Sequence, residues 1–595
     1  MKNIKYIIGM ALALFVMACN EDYLDAPTQS SLDESVIFST PDLAKGAVDG
    51  IKVSFGETNS YRGRFLPWYG MNTDIEWYNS SDSPGANADL AVYNAAPSNS
   101  NMNSTNNTWA KLYEGIERAN ICIRGIRTYG NPEPGTELGY LLGEALTLRA
   151  VYYSDLLKAW GDVVPRFEPI STETLYLAKT SRDSIYLQLI DDLEEAATLV
   201  PWPNETATTS SVERVNKAFV KGLRARLCMA AGGYSQYPDG IRKSNDPALE
   251  TNKMYTEAYN ECMDIIESGT CELEPSFETV FKNNCNDVVA AGGETLWEIP
   301  FSDGRGRMLF TFAIRHNSVD QYTGQARGGQ AGPTPTVFYD YDVNDSRRDV
   351  TVTPYEWGAA DKVTGDAKQE ILELKKWSFG KFRYEWMDRY VTSSNDDGVN
   401  KLYMRYAEVI LMTAETANEL QGPSAAAPYL KMIRQRAFDA SLWNTEVDNY
   451  VAALTTKEAM FNAIVDEHKY EFCGEMLRKE ALIRWNLLKT KLDKVKSDMY
   501  DLRSRSGAYA DVPEKVYYKY ADDDETLVFY GLNRGEDQDM SGDYEYNTTW
   551  VAPDELTDEK IESIYTRDPD KWQFWPIWQV FLDASNGKLV NDYGY

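Results

Sequence analysis

Residues 136–160 read TELGYLLGEALTLRAVYYSDLLKAW, and the fold class is decided there. Leu141, Ala145, Leu148, Tyr152 and Leu156 recur at three- and four-residue steps, which sets them on one face of a helix. Gly161-Asp162-Val163-Val164-Pro165 follows, a glycine and proline arrangement that ends helices. The pattern repeats on either side. Trp109, Leu112, Tyr113, Ile116, Ala119, Asn120 and Ile123 predict a helix over 109–127, and similar spacing predicts helices over 184–199, 216–231 and 255–268. Upstream, Thr40-Pro41-Asp42 supplies an N-cap with proline in the first turn, followed by Leu43, Ala47, Val48 and Ile51. These segments come as short pairs of helix-turn-helix size, without a strict period. From 270 to 400 the periodicity fades, and glycine, arginine and aromatic residues become frequent, most of all over 302–335. Helical spacing returns over 402–420, 425–438 and 457–488, and the tail 497–595 reads as mostly irregular. The fold class is mostly α: a helical scaffold with long irregular loop insertions.

The amino terminus reads as an address. Lys2 and Lys5 precede an apolar run from Ile7 to Val16, then Val16-Met17-Ala18-Cys19. That pattern predicts a secretory signal over 1–18, too short to span a bilayer and cut before a cysteine. A lipoprotein signal peptidase needs a cysteine at that position, so Cys19 is expected to carry lipid and 19–35 to act as a tether. No later stretch approaches the length of a spanning apolar helix.

The 595 residues are 43% hydrophobic, ordinary for a chain with a sizeable core. A net charge of −31 argues against nucleic acid and disfavours strongly polyanionic sugars. Aromatic residues make up 12% of the chain, with 39 tyrosines and 15 tryptophans, many in polar loops. Such rings suit stacking on the CH-rich faces of sugars. Beyond Cys19, the cysteines are scattered without metal-finger spacing; Cys122 and Cys228 read as small buried hydrophobes, while Cys262, Cys271 and Cys285 lie close enough in sequence for one disulfide. Only His316 and His468 are present, which excludes a two-histidine zinc motif, and His468 reads as structural.

Two stretches carry candidate binding chemistry. The first runs from Trp68 to Asn79 in the long polar segment 61–107 and joins two aromatic pairs to Asn72, Asp74 and Glu76. Sugar recognition needs that combination: an aromatic face under a ring, and amides or carboxylates on the hydroxyls. The second holds Arg305, Arg307, Phe310, Phe312, Arg315, His316 and Tyr322; Trp357 and Trp386 are lesser candidates. Asp537, Asp539 and Asp543 follow the spacing of a calcium loop, but Thr548 stands where its final acid belongs, so an acidic turn is the preferred reading over a Ca2+ site. With 91 acidic residues, paired carboxylates do not by themselves identify a hydrolase.

Several motifs resemble the SusD/RagB-like outer-membrane nutrient-binding lipoproteins. Trp109-x-x-x-Tyr113-x-x-Ile116-x-x-Ala119-Asn120 is similar to that family's first repeat helix, and Gly143-Glu144-Ala145 with Leu148-Arg149-Ala150 to its next. Met404-Arg405-Tyr406-Ala407-Glu408, Ile433-Arg434-Gln435-Arg436-Ala437, Glu471-Phe472 and Ile483-Arg484-Trp485 match in order. The ending from Trp575-Pro576-Ile577 to Tyr593-Gly594-Tyr595 resembles the family's, with Trp578 and Asp592 in place of prolines, and Glu467-His468 replaces its usual Glu-Arg. Asn20-Glu21-Asp22 after the cysteine resembles the surface-export signal of Bacteroidetes lipoproteins.

The resemblance implies a tetratricopeptide-like scaffold forming one domain over 36–595, with an N-terminal helical part to about 300 and a C-terminal part from 301. It implies a lipid-anchored protein on the outer-membrane surface, a TonB-dependent barrel of the SusC type as partner, oligosaccharide or peptide as ligand, and no catalysis. On this reading Trp68, Trp77 and Tyr78 form a stacking platform, with Asn72, Asp74, Arg307 and Tyr322 as further contacts. The alternatives are a peptide-binding relative and a surface glycosidase.

Overall fold

Thr136 caps the opening helix by accepting from the Gly139 amide at 3.0 Å, and Gly161 ends it at φ +70°. The computed structural model describes residues 33–56, 61, 66–302, 304–393 and 396–595. The predicted signal and Cys19 lie outside the described residues. Among the described residues, nine helices reach fifteen residues or more. They are α1 (Thr108–Tyr129), α2 (Glu137–Trp160), α3 (Arg182–Leu199), α4 (Lys217–Gly232) and α5 (Thr251–Ser268). Then come α6 (Tyr406–Gln421), α7 (Pro423–Ala437), α8 (Lys457–Phe472) and α9 (Leu488–Arg503). Helices α1 to α5 pack each on the next, α5 packs on α6, and α6 carries both α7 and α8. The array is tetratricopeptide-like, and one hydrophobic cluster runs through it from Phe38 to Trp578.

The chain leaves the array after α5 and returns at α6. An antiparallel pairing of Thr295–Ile299 with Lys401–Arg405 closes the neck of that excursion. The helix expected from 402 therefore starts four residues later, because Leu402–Arg405 is strand. The helix expected over 457–488 is broken. Gly474 at φ +87° and Met476 at φ +60° turn the backbone after α8, and a Cβ at Gly474 would stand 2.9 Å from the Phe379 ring. A short helix, Arg478–Arg484, precedes α9. The tail is less irregular than its sequence suggests: Lys515–Tyr520 is the central strand between Leu527–Tyr530 and Tyr546–Thr549. Tyrosine at 517, 518 and 520 masks the alternation that marks a strand.

The motif residues form a buried ionic lattice between helices. The Arg405 guanidinium reaches Glu294, Glu471 (2.9 Å) and Glu475 (2.8 Å). Arg436 meets Glu294 and Glu471 as well, and Arg347 joins Glu467 at 2.7 Å and Glu471 at 3.1 Å. Burial works to raise the Glu471 pKa, but Arg436, Arg405 and Arg347 together hold it well below the carboxylate range. Arg226 grips Glu408 through two bonds of 2.7 and 2.6 Å, and Arg484 and Trp485 both donate to Glu415. Breaking one such pair leaves a desolvated charge, at a cost of about 3–5 kcal/mol.

Cys122, Cys228, Cys262, Cys271, Cys285 and Cys473 are buried free thiols. Asp537 pairs with Arg505 at 3.1 Å, Asp539 accepts from the Ser541 amide and the Tyr517 hydroxyl, and the Asp543 carbonyl accepts from Lys519. Among the described residues, no group of three His, Cys, Asp or Glu side chains is arranged to hold a metal, and no helix is long and apolar enough to cross a membrane.

Candidate functional site

Two segments 250 residues apart in sequence are joined here. The strand Glu76–Tyr78 pairs antiparallel with Ala331–Pro333, with Trp77 opposite Gly332. A Cβ at Gly332 would lie 1.9 Å from the Trp377 carbonyl oxygen, so only glycine lets the backbones pass. Asn79 extends the join: its amide donates to Gln330 O and its Nδ2 to Gly329 O, each at 3.0 Å and the latter across those 250 residues.

The join corrects the expected platform. Trp77 is wholly buried, and the Trp68 and Tyr78 rings pack against each other, tilted, at 4.7 Å inside the core, so none offers a face to a ligand. Lys560 lies beneath Trp77, its Nζ 4.1 Å from the ring and donating to the Asn79 carbonyl at 2.8 Å. Burial pulls that lysine's pKa down to about 7. Asn72 sits at φ +59° and closes the turn, accepting from the Tyr78 amide at 2.9 Å and donating to the Ser563 and Ile564 carbonyls. Asp74 is clamped by Arg478 through two bonds of 2.9 and 2.7 Å. The clamp outweighs burial and holds the Asp74 pKa down. Asn72 and Asp74 are thus fasteners of the segment.

The second stretch divides in the same way. Arg307 is buried with its guanidinium 4.1 Å over Phe310, and Phe312 is core. Around His316 the backbone is strand-like: the Trp357 amide donates to Arg315 O and the Asn317 amide to Trp357 O. Alternate side chains then face opposite ways. His316 points inward, with Nδ1 2.7 Å from Asp320 and its ring stacked on Trp357. Burial disfavours its charge, but Asp320 and Glu385 prevail and raise its pKa. Tyr322 joins that inner cluster, its ring 4.7 Å from Trp357 and its hydroxyl bonded to Glu525, and Trp386 lies beneath Arg383. Arg315 and Asn317 point outward, joined by a 2.8 Å hydrogen bond, with Glu356 3.9 Å from the guanidinium.

The outward side chains line a cleft of about 460 Å³. Its lining includes Asn79, Ser80 and Gln330, then Arg315, Asn317 and Glu356, and then Glu373 and Lys376. Burial raises the Glu356 pKa, with Asn317 and Arg315 opposing. Burial also acts against Glu373, but Lys376 and Lys375 overcome it and hold that carboxylate ionised. The walls offer carboxylate acceptors, cationic donors and amides that do both, a set that fixes hydroxyl or peptide groups. Of the residues singled out in the sequence, only Arg315 and the segment end Asn79 reach this cleft. Asn317, Gln330, Glu356, Glu373 and Lys376 went unrecognised; only Asn317 carried a signal, the alternation of polar residues about buried His316.

Residues 294–595 match the SusD family. The chain belongs to that family. Residues 22–228 match a second description, starch-binding associating with outer membrane. Among curated relatives, SusD-like protein P25 of Formosa agariphila is 25% identical over 82% of this chain and 90% of its own length. SusD-like protein P2 of the same organism is 24% identical over 80% and 89%. A SusD homolog from Bacteroides thetaiotaomicron superposes with a TM-score of 0.71 at 18% identity, over 96% of this chain and 99% of that one. Surface glycan-binding protein A of the same organism, in complex with laminarihexaose, superposes at 0.59 with 18% identity over 93% and 99%. These likenesses establish the fold.

Proposed function

We propose that this SusD-family chain is a lipid-anchored protein of the outer-membrane surface. It captures oligo- or polysaccharide in the Arg315–Glu356 cleft and passes it to a TonB-dependent barrel of the SusC type. The observation that carries the reading is the cleft itself: ionised and amide groups gathered beside the pairing of the first candidate stretch with Ala331–Pro333, with Arg315 of the second stretch among them. Sugar hydroxyls are donors and acceptors together, and carboxylates, amides and guanidinium pair with both roles. The laminarihexaose-bound neighbour and the outer-membrane description of the N-terminal match favour the same reading, as does the cysteine after the predicted signal. The chain acts by binding, without turnover.

Titration calorimetry of the purified chain against neutral polysaccharides and short peptides tests this. Saturable binding of a glycan, with no release of reducing ends over hours, is the expected result. Binding of peptides alone, or glycan breakdown, contradicts it. Co-purification of a TonB-dependent barrel from native outer membranes tests delivery; a chain recovered alone under mild detergent speaks against that part.

A further inference from the structure

The tail sheet carries an aromatic row that packing alone leaves partly uncovered. Register sets Phe529, Tyr518 and Tyr546 side by side across the three strands, and Tyr520 shares their face two residues on. The Tyr518 and Tyr546 rings lie 5.3 Å apart and 22° from parallel, Phe529 is 6.5 Å from Tyr518, and Tyr520 meets Tyr546 edge-on at 6.4 Å. Tyr546 stands on an edge strand and is 39% exposed, and Tyr518 and Tyr520 are half-buried.

This row adjoins the cleft. The Tyr520 hydroxyl donates to Gln369 O at 3.1 Å, two residues from Ile371 on the cleft wall. Glu370, next to Gln369, stands directly opposite Glu356 in the hairpin formed by Tyr355–Trp357 and Gln369–Ile371. Residues directly opposite share a face, so Glu370 continues the cleft's carboxylate wall toward the sheet. Burial raises the Tyr520 pKa, Lys368 opposes and Glu370 adds to it, which sets Glu370 within electrostatic reach of the row.

The exposed charge around the row is mainly acidic. Asp522, Asp523, Asp524, Glu370 and Glu545 are all exposed there. Lys368 lies 5.1 Å from the Tyr520 ring but is paired with Asp524 at 2.6 Å. Such a rim accepts hydrogen bonds from hydroxyls and repels anions.

We propose that Tyr518, Tyr520 and Tyr546 extend the cleft as a stacking surface for further sugar residues, and that the ligand is an extended neutral glycan rather than a uronate or sulfated one. The inference rests on the glycan-binding reading above. Aromatic rings take the CH face of a pyranose, and the acidic rim takes its hydroxyls.

The test titrates the full chain with neutral glucan, mannan and galactan, each as a trisaccharide and as a polymer, and with polygalacturonate. The variants are Tyr546→Ala, Tyr546→Phe and Arg315→Ala. The expected result is a neutral polymer that binds more tightly than its trisaccharide, with that advantage reduced about tenfold by Tyr546→Ala and kept by Tyr546→Phe. Polygalacturonate stays unbound. If Tyr546→Ala keeps the polymer advantage while Arg315→Ala loses binding, the row only packs the sheet, and the cleft reading survives alone. Tighter binding of polygalacturonate than of any neutral glycan overturns the inference. No binding of any glycan overturns it together with the reading beneath it.

Discussion

The helical array and the cleft handle charge in opposite ways. In the array, Arg149, Arg226 and Arg434 are almost wholly buried, and every one meets a carboxylate at hydrogen-bonding distance. In the cleft, the Arg315 side chain keeps 43% of its exposure, and its carboxylate neighbour Glu356 stands off at 3.9 Å. The first arrangement satisfies charge internally and fixes geometry. The second leaves hydrogen-bonding capacity for a ligand. Residues in the strongest sequence motifs are therefore architectural, and the proposed recognition site is lined by side chains with no motif.

Arg405→Met is expected to have the largest effect. Removing one guanidinium from Glu294, Glu471 and Glu475 leaves buried carboxylates under-paired, and about 3–5 kcal/mol of stability is expected to go. A denaturant midpoint near wild type would show that the lattice is not what holds the array. Trp77→Ala comes next. A buried tryptophan cut to alanine costs about 3–5 kcal/mol, so thermal unfolding shifts sharply downward. Loss of glycan affinity at unchanged melting temperature would instead restore Trp77 as a binding residue.

Glu76→Gln sharpens the contrast through pH. Burial pushes the Glu76 carboxyl up to about 8, with only the Gly474 amide donating to it among the hydrogen bonds. The folded chain then keeps a proton that the unfolded chain has released, so wild-type stability falls as pH rises from 4.5 to about 8 and is level beyond. Glutamine removes that titration. The variant is expected to match wild type near pH 4.5 and to exceed it by up to about 4 kcal/mol at pH 8 in urea unfolding. A constant difference across that range contradicts the assignment. The smallest expected energy belongs to Arg315→Ala: about tenfold weaker glycan binding by calorimetry, with stability within roughly 0.5 kcal/mol of wild type.

Much of the fold was legible in the sequence. Helical spacing located α1 to α5 closely, because their apolar residues recur at helical steps, although α2 and α4 are buried on nearly every face and not along one stripe. What escaped was set by tertiary contacts: the strand at Lys401–Arg405, the break at Gly474, and the tyrosine-rich tail sheet. The candidate site was legible only in part: Arg315 and the segment ending at Asn79 stood out, and the pairing strand Ala331–Pro333 did not. Trp68 to Tyr78 and Ala331 to Pro333 do meet, but aromatic residues dense enough to suggest a platform were dense enough to form core. The rim was carried by Asn79, Arg315, Asn317 and Glu356, ordinary polar residues whose direction depends on a two-residue alternation about buried neighbours.

The central claim, that ligand binds at the junction of these two segments, is tested most directly by amide hydrogen exchange with and without a saturating neutral polysaccharide. Slowed exchange is expected at 79–80, 314–317, 329–330 and 371–376, with the interior of α6 unchanged. Protection confined to another face, such as the apolar groove of Tyr113, Leu175, Tyr176 and Phe581, would place the ligand elsewhere and contradict it.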